Sequence, residues 1–243
     1  MSVIAPTKSE PTAADFLATN RGGGLLSEAI DQPIGARIAH AAYRLGLAPS
    51  VLTIVNLGIG VGTSAAVIAL AAAMRRGDVP ALAVGLGALV LWHIAYQFDC
   101  ADGQLARVAH KASAAGGRLD VLCDVAVQIA LVSAVSAVAV HYQPRTPTWL
   151  VAAFAGGWMI NLVTSVLAGG AQAQSLVTSR SLPVRLVKLS RDYGAMITLM
   201  GLGIAVIPRY VVWIMVAFTV VNAVFLAASI AAATAKSLRP SGE

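Results

Sequence analysis

The sequence predicts an all-α, polytopic membrane protein with six transmembrane helices and one amphipathic helix on the membrane surface. Three observations carry that prediction. Of 243 residues, 58% are hydrophobic and only 12% are charged, a balance that belongs to chains dissolved in lipid. Apolar stretches of the roughly 17–25 residues needed to cross a bilayer recur along nearly the whole length. The basic residues, finally, segregate to alternate loops.

Taken in order, residues 1–32 open MSVIAPTKSEPTAADFLATNRGGG, a polar stretch with Gly and Pro that predicts a flexible cytosolic tail and not a cleaved signal. Residues 33–46, IGARIAHAAYRLGL, place apolar side chains at helical spacing with Arg37 and Arg44 among them, the pattern of a helix lying on the membrane surface. From there to residue 243 the chain reads as one membrane domain. Its apolar runs give spans at about 50–74, 80–101, 117–140, 148–168, 193–208 and 211–234, of which the fifth is short and glycine-rich. No internal repeat and no separate soluble domain is visible.

Orientation follows from charge. With both termini cytosolic, 13 of the 17 Lys and Arg residues fall inside and only Arg75, Arg76, Arg145 and Arg209 fall outside, so the positive-inside rule favours N-in, C-in. The net charge of +6 is accounted for by anionic lipid headgroups and calls for no nucleic-acid partner. Cys100 and Cys123 lie at the cytosolic edge without CxxC or His partners, which makes them packing residues. His93, inside the second span, reads as a polar interhelical residue, and Gly58 and Gly62 as a small-residue face for close helix packing.

One stretch does not suit a membrane. FDCADGQLARVAHKASAAGGRLDVLCDV, residues 98–125, carries Asp99, Asp102, Asp120 and Asp124. Spacings of three and four put each pair on one helical face. Carboxylates this close repel strongly in a low-dielectric setting, so they need protons, cationic partners or metal. Hard oxygen ligands suit Mg²⁺ or Mn²⁺, and two ions sharing a site need about four carboxylates. Gly103, Ala106, Gly116 and Gly117 keep the neighbourhood shallow, and Arg107 offers a fixed charge to a phosphate. Singly, each is also an ordinary helix-end residue: Asp102-Gly103 a turn, Gly116-Gly117 a helix boundary, Arg107 and Lys111 cytosolic flanks. Together they point to a diphosphate substrate.

The spacing Asp99-x2-Asp102-Gly103-x2-Ala106-Arg107-x8-Gly116-x3-Asp120-x3-Asp124 resembles the defining motif of the CDP-alcohol phosphotransferases, membrane enzymes of phospholipid synthesis, at all eight positions. The resemblance implies that Asp99, Asp102 and Asp120 ligate metal, and that Asp124 ligates the second ion and takes the proton of the acceptor hydroxyl. It implies that Gly103 and Arg107 contact a CDP-linked lipid donor, that Ser113 supplies a hydroxyl to it, and that Pro49, Thr53 and Asn56 of LAPSVLTIVN lie beside the nucleotide. A homodimer is implied as well. The reaction implied is attack of an alcohol on the donor phosphorus with release of CMP. Donor and acceptor assignments stay open: members that carry a small headgroup to a lipid hydroxyl share the same motif.

Between the fourth and fifth spans, Arg180, Arg185, Lys188 and Arg191 serve either as topology signals or as a pocket for a phosphorylated acceptor, such as inositol phosphate or glycerol 3-phosphate. Two other classes are weaker. A prenyltransferase would use two separate Asp-rich clusters, and an ion transporter would set its carboxylates near mid-membrane in repeated halves.

Overall fold

The computed structural model describes residues 10–20, 24–167 and 192–237. Among these all regular structure is helical: α1 (Ala13–Ala18), a π-turn (Ser27–Asp31), α2 (Gln32–Arg44), α3 (Pro49–Arg76), α4 (Ala81–Val108), α5 (Ala114–Tyr142), α6 (Thr148–Leu167), α7 (Tyr193–Val206), a 3₁₀ turn (Pro208–Tyr210) and α8 (Val211–Ser237). Helices thus occupy all six predicted span intervals. Among the described residues, four segments are long and apolar enough to cross a membrane: Pro49–Arg76, Ala81–Val108, Ala114–Tyr142 and Pro208–Ala228. Thr148–Ile160 and Tyr193–Val206 are shorter apolar segments.

Helix ends follow local chemistry. Pro49 starts α3, where its missing N–H goes unneeded, and Gly77 at φ 87° ends it in the left-handed conformation that glycine alone adopts freely. Pro80 caps the start of α4. Along the helices the outward face stays apolar: Leu82, Leu86, Val90, Ile129, Val220 and Val224 are all exposed, a surface that suits lipid and would be a liability in water.

Packing centres on α3, which runs against both α4 and α5, while α7 lies along α4 and α6 pairs with α8. Small residues permit the close approaches. A Cβ at Gly60 would sit 2.7 Å from Val127 Cγ1, and one at Gly85 would overlap the backbone of Ala205. The main core joins Trp92, Leu131, Val135, Met200 and Ile204 to the aromatic group Phe154, Trp158 and Phe218, the last two stacked at 4.8 Å. Trp92 Nε1 donates to Ser64 Oγ at 3.1 Å, which satisfies a polar atom that lipid-like surroundings would otherwise leave costly.

Within the interval 1–32 expected as a flexible tail, the described residues 10–20 and 24–32 include packed helical segments. Residues 13–18 form a helix whose Phe16 is fully buried among Ala36, Ala39, Leu52, Ala101 and Leu105. Ser27 and Asp31 are also fully buried. The polar composition misled because its few apolar and carboxamide side chains are spent on specific contacts and not on a periodic stripe. The helix Gln32–Arg44 starts one residue before the 33–46 interval and ends two residues short of it, and Gly35, Ala36, Ala39 and Ala42 give α2 a flat face against α4.

Candidate active site

α4 and α5 each carry two aspartates, and both pack against α3 while making little backbone contact with each other. The gap between them therefore has α3 as its floor and carboxylates on both walls. One oxygen each of Asp99, Asp120 and Asp124 lies within 4.8 Å of the others, and all three residues are half-buried. Such a group of hard anionic donors fits a divalent cation. Asp102 stands apart from this trio. It is 4% exposed, and its Oδ2 accepts from Thr53 Oγ1 at 2.5 Å, although it still feels the charges of Asp120 and Asp124.

The floor explains two residues of the Pro49, Thr53, Asn56 element. Thr53 donates to Asp102, and Asn56 Nδ2 donates to Asp99 Oδ1 at 3.1 Å. Both side chains are buried and hydrogen-bonded to the carboxylates, and Asn56 also lines a cavity beside Asp99 and Asp124. Pro49 opens α3 one turn before Thr53, and the Pro49 carbonyl lies 3.4 Å from Thr53 Oγ1.

Gly103 and Arg107 are also linked. A Cβ at Gly103 would come 3.0 Å from Arg107 Nη1, so the missing side chain leaves room for the guanidinium where it folds back along α4. Ser113 caps α5, its Oγ accepting from Gly116 N at 3.0 Å, and a Cβ at Gly116 would lie 3.2 Å from the same oxygen. The serine thus has a helix-capping task in hand, with its own hydroxyl proton still available to donate. Ala106 and Arg107 line an open cleft of about 570 Å³ together with Thr19, His110 and Ala112. The basic residues Arg180, Arg185, Lys188 and Arg191 lie outside the described residues.

A second cavity, about 150 Å³, opens beside Asp99 and Asp124 and is lined also by Asn56, Tyr96, Gln128 and Tyr193. Tyr96, Gln128 and Tyr193 escaped the sequence reading. Gln128 was within reach of it, one turn after Asp124 on the same helical face; its Oε1 accepts from Trp158 Nε1 at 2.9 Å. Tyr193 was not, since it arrives from a distant segment to meet Tyr96 edge-on at 4.8 Å.

Behind the tyrosines lies a buried polar network that no spacing announced. His93 bridges Asp31 Oδ1 (2.9 Å) and Thr198 Oγ1 (2.8 Å), as an interhelical residue should. Tyr96 donates to Ser27 Oγ at 3.1 Å, and Ser27 Oγ donates to Asp192 Oδ1 at 2.5 Å. Asp192 also accepts from the Leu26 N–H at 2.7 Å. The π-turn is thereby tied to the first turn of α7.

A family model described as CDP-alcohol phosphatidyltransferase matches residues 46–223, more than half of the chain, and takes in every aspartate of the cluster while leaving α1 and α2 outside. No curated protein matches the chain.

Proposed function

From the premise that the chain belongs to the CDP-alcohol phosphatidyltransferase family, we propose that it moves a phosphatidyl group from CDP-diacylglycerol to an alcohol, releasing CMP. The family itself consists of divalent-metal-dependent transferases that use a CDP-alcohol donor and an alcohol acceptor. The observation that carries the reading here is the group formed by Asp99, Asp120 and Asp124 across the α4–α5 gap, beside a cavity wide enough for a small polar molecule.

In this reading Asp99, Asp102, Asp120 and Asp124 hold two divalent ions, Mg²⁺ or Mn²⁺, which when bound supply positive charge against the diphosphate. Asn56 and Thr53 keep Asp99 and Asp102 oriented, as outer partners of metal ligands do. Arg107 contacts the donor diphosphate, Gly103, Ala106 and Gly116 leave room for it, and Ser113 donates its hydroxyl proton to it. Asp124 accepts the proton of the acceptor hydroxyl as the new oxygen–phosphorus bond forms and the bond to CMP breaks. Tyr96, Gln128 and Tyr193 border the cavity in which that hydroxyl lies.

The remaining parts of the proposal concern setting. Six helices cross the cell membrane with both termini and the carboxylates cytosolic, and α2 lies along the surface. Arg180, Arg185, Lys188 and Arg191 bind the phosphate of an acceptor such as inositol phosphate or glycerol 3-phosphate. Gly58 and Gly62, where an added Cβ would meet nothing within 4 Å among the described residues, supply a face for a homodimer.

The test is direct. Purified protein is given radiolabelled CDP-diacylglycerol and a panel of alcohols, with Mg²⁺, Mn²⁺ or excess chelator. CMP release with a new lipid product in metal, and none in chelator, is the expected result. Absence of CMP release with every alcohol would reject the donor assignment, and full turnover in chelator would reject the metal.

A further inference from the structure

The cleft above Arg107 has one wall that the matched family interval does not contain. Four of its lining residues, Ala106, Arg107, His110 and Ala112, follow one another along the end of α4 and the turn after it, but the fifth, Thr19, comes from the end of α1. α1 is not there by accident. Phe16 anchors it, fully buried and edge-on to Tyr43 at 5.8 Å. Asn20 locks the following turn: its Oδ1 accepts from Gln104 Nε2 at 2.8 Å while its Nδ2 donates to Gln32 Oε1 at 2.7 Å. Gln104 is itself fully buried and stands between Gly103 and Ala106, so the N-terminal segment is pinned onto the motif helix.

His110 is the second unusual feature of this cleft. α4 ends in a Schellman motif, with the Lys111 N–H on the Ala106 carbonyl at 2.9 Å and the His110 N–H on the Arg107 carbonyl at 3.3 Å. The residue between them must turn left-handed, and His110 does so at φ 55°. Glycine is the ordinary occupant of that position because a Cβ disfavours it. Histidine is among the few non-glycine residues enriched in that conformation, and here it is exposed and lines the cleft, so its ring faces whatever the cleft holds.

Distance along α4 says what the cleft would hold. From Asp102, Ala106 lies four residues and His110 eight residues further along the chain, which at 1.5 Å per residue is roughly 6–12 Å from that carboxylate. A nucleoside extends about that far from its own diphosphate. We propose that α1 and His110 form the walls of a binding site for the cytidine end of the donor, with Thr19 and the His110 ring on the nucleoside and Asn20 as the positioning residue that holds α1 in place. This rests on the donor reading above.

The experiment measures binding of CMP to the full-length protein in detergent with Mg²⁺, by calorimetry, for wild type, His110→Gly, His110→Asn and Asn20→Ala, with thermal melting alongside. Glycine and asparagine both tolerate the left-handed backbone, so neither histidine variant should melt below wild type. Both should bind CMP about tenfold more weakly, about 1.4 kcal/mol, and Asn20→Ala several-fold more weakly, while the Mg²⁺ concentration for half-maximal activity stays unchanged. Wild-type CMP affinity in both histidine variants would overturn the inference and leave the donor reading standing. A wild-type protein that binds no CMP and releases none from CDP-diacylglycerol would overturn both.

Discussion

Asp124 and Asp102 differ in what surrounds them, and that difference predicts different phenotypes. Asp124 borders the cavity beside Gln128 and Tyr193, where an acceptor hydroxyl would need a base. Asp124→Asn keeps the shape but cannot take a proton, so turnover should be lost while CMP binding in Mg²⁺ persists; wild-type turnover would end its assignment as the base. Asp102 is buried behind the Thr53 hydroxyl. Removing that donor in Thr53→Val leaves a buried carboxylate oxygen without its partner, and outer partners of metal ligands are worth about 10–100-fold in metal affinity or activity. The metal concentration for half-maximal activity should rise by about that factor, with full or partial recovery at saturating metal. An unshifted metal dependence would mean that Thr53 serves only packing.

At the scale of elements, two glycines separate stability from function. Gly85 lets α4 touch the backbone of Ala205 in α7, so Gly85→Ala must push α7 away, an overpacking change of about 1–3 kcal/mol. Because α7 also delivers Tyr193 to the carboxylate cavity, activity should fall with the melting temperature. Gly77 ends α3 at φ 87° with open space around it. Gly77→Ala should cost about 1 kcal/mol of stability through backbone strain and leave specific activity unchanged. The same elements mark what the sequence could disclose. The long helices were legible because apolar run length is a local property, and the aspartate block was legible because its members lie within one turn of each other on two neighbouring helices. Thr53 and Asn56 were recognisable as site residues, but their partners were not, since which carboxylate each meets depends on how α3 sits under α4 and α5. The network joining Ser27 and Asp31 to Asp192 and Thr198 spans more than 160 residues of chain, and packed α1 shows no periodic stripe; neither leaves a local trace.

At the scale of the whole molecule, the basic residues sort by end in space as they do in sequence. Tyr142 lies within electrostatic reach of Arg75 and Arg209, and Gln143 Nε2 donates to the Arg209 carbonyl at 3.3 Å. Two of the four Arg residues assigned to the outside, Arg75 and Arg209, thus gather at one end of the bundle, where α3 and α5 finish, and Arg145 follows two residues beyond Gln143. Arg107, Lys111 and Arg118 stand at the other end of α5. That helix has 29 residues, about 43 Å at 1.5 Å per residue, against a hydrocarbon core of about 30 Å. Its two ends cannot share one side of the membrane if it crosses. Single cysteines at Ala114 and Thr146, in a background with Cys100 and Cys123 replaced, therefore give a decisive readout. A membrane-impermeant maleimide applied to intact cells should label Thr146→Cys and spare Ala114→Cys, and inverted vesicles should reverse the pattern. Labelling of Ala114→Cys from outside would turn the carboxylates away from the cytosol. Labelling of both from one side would remove α5 from the membrane altogether.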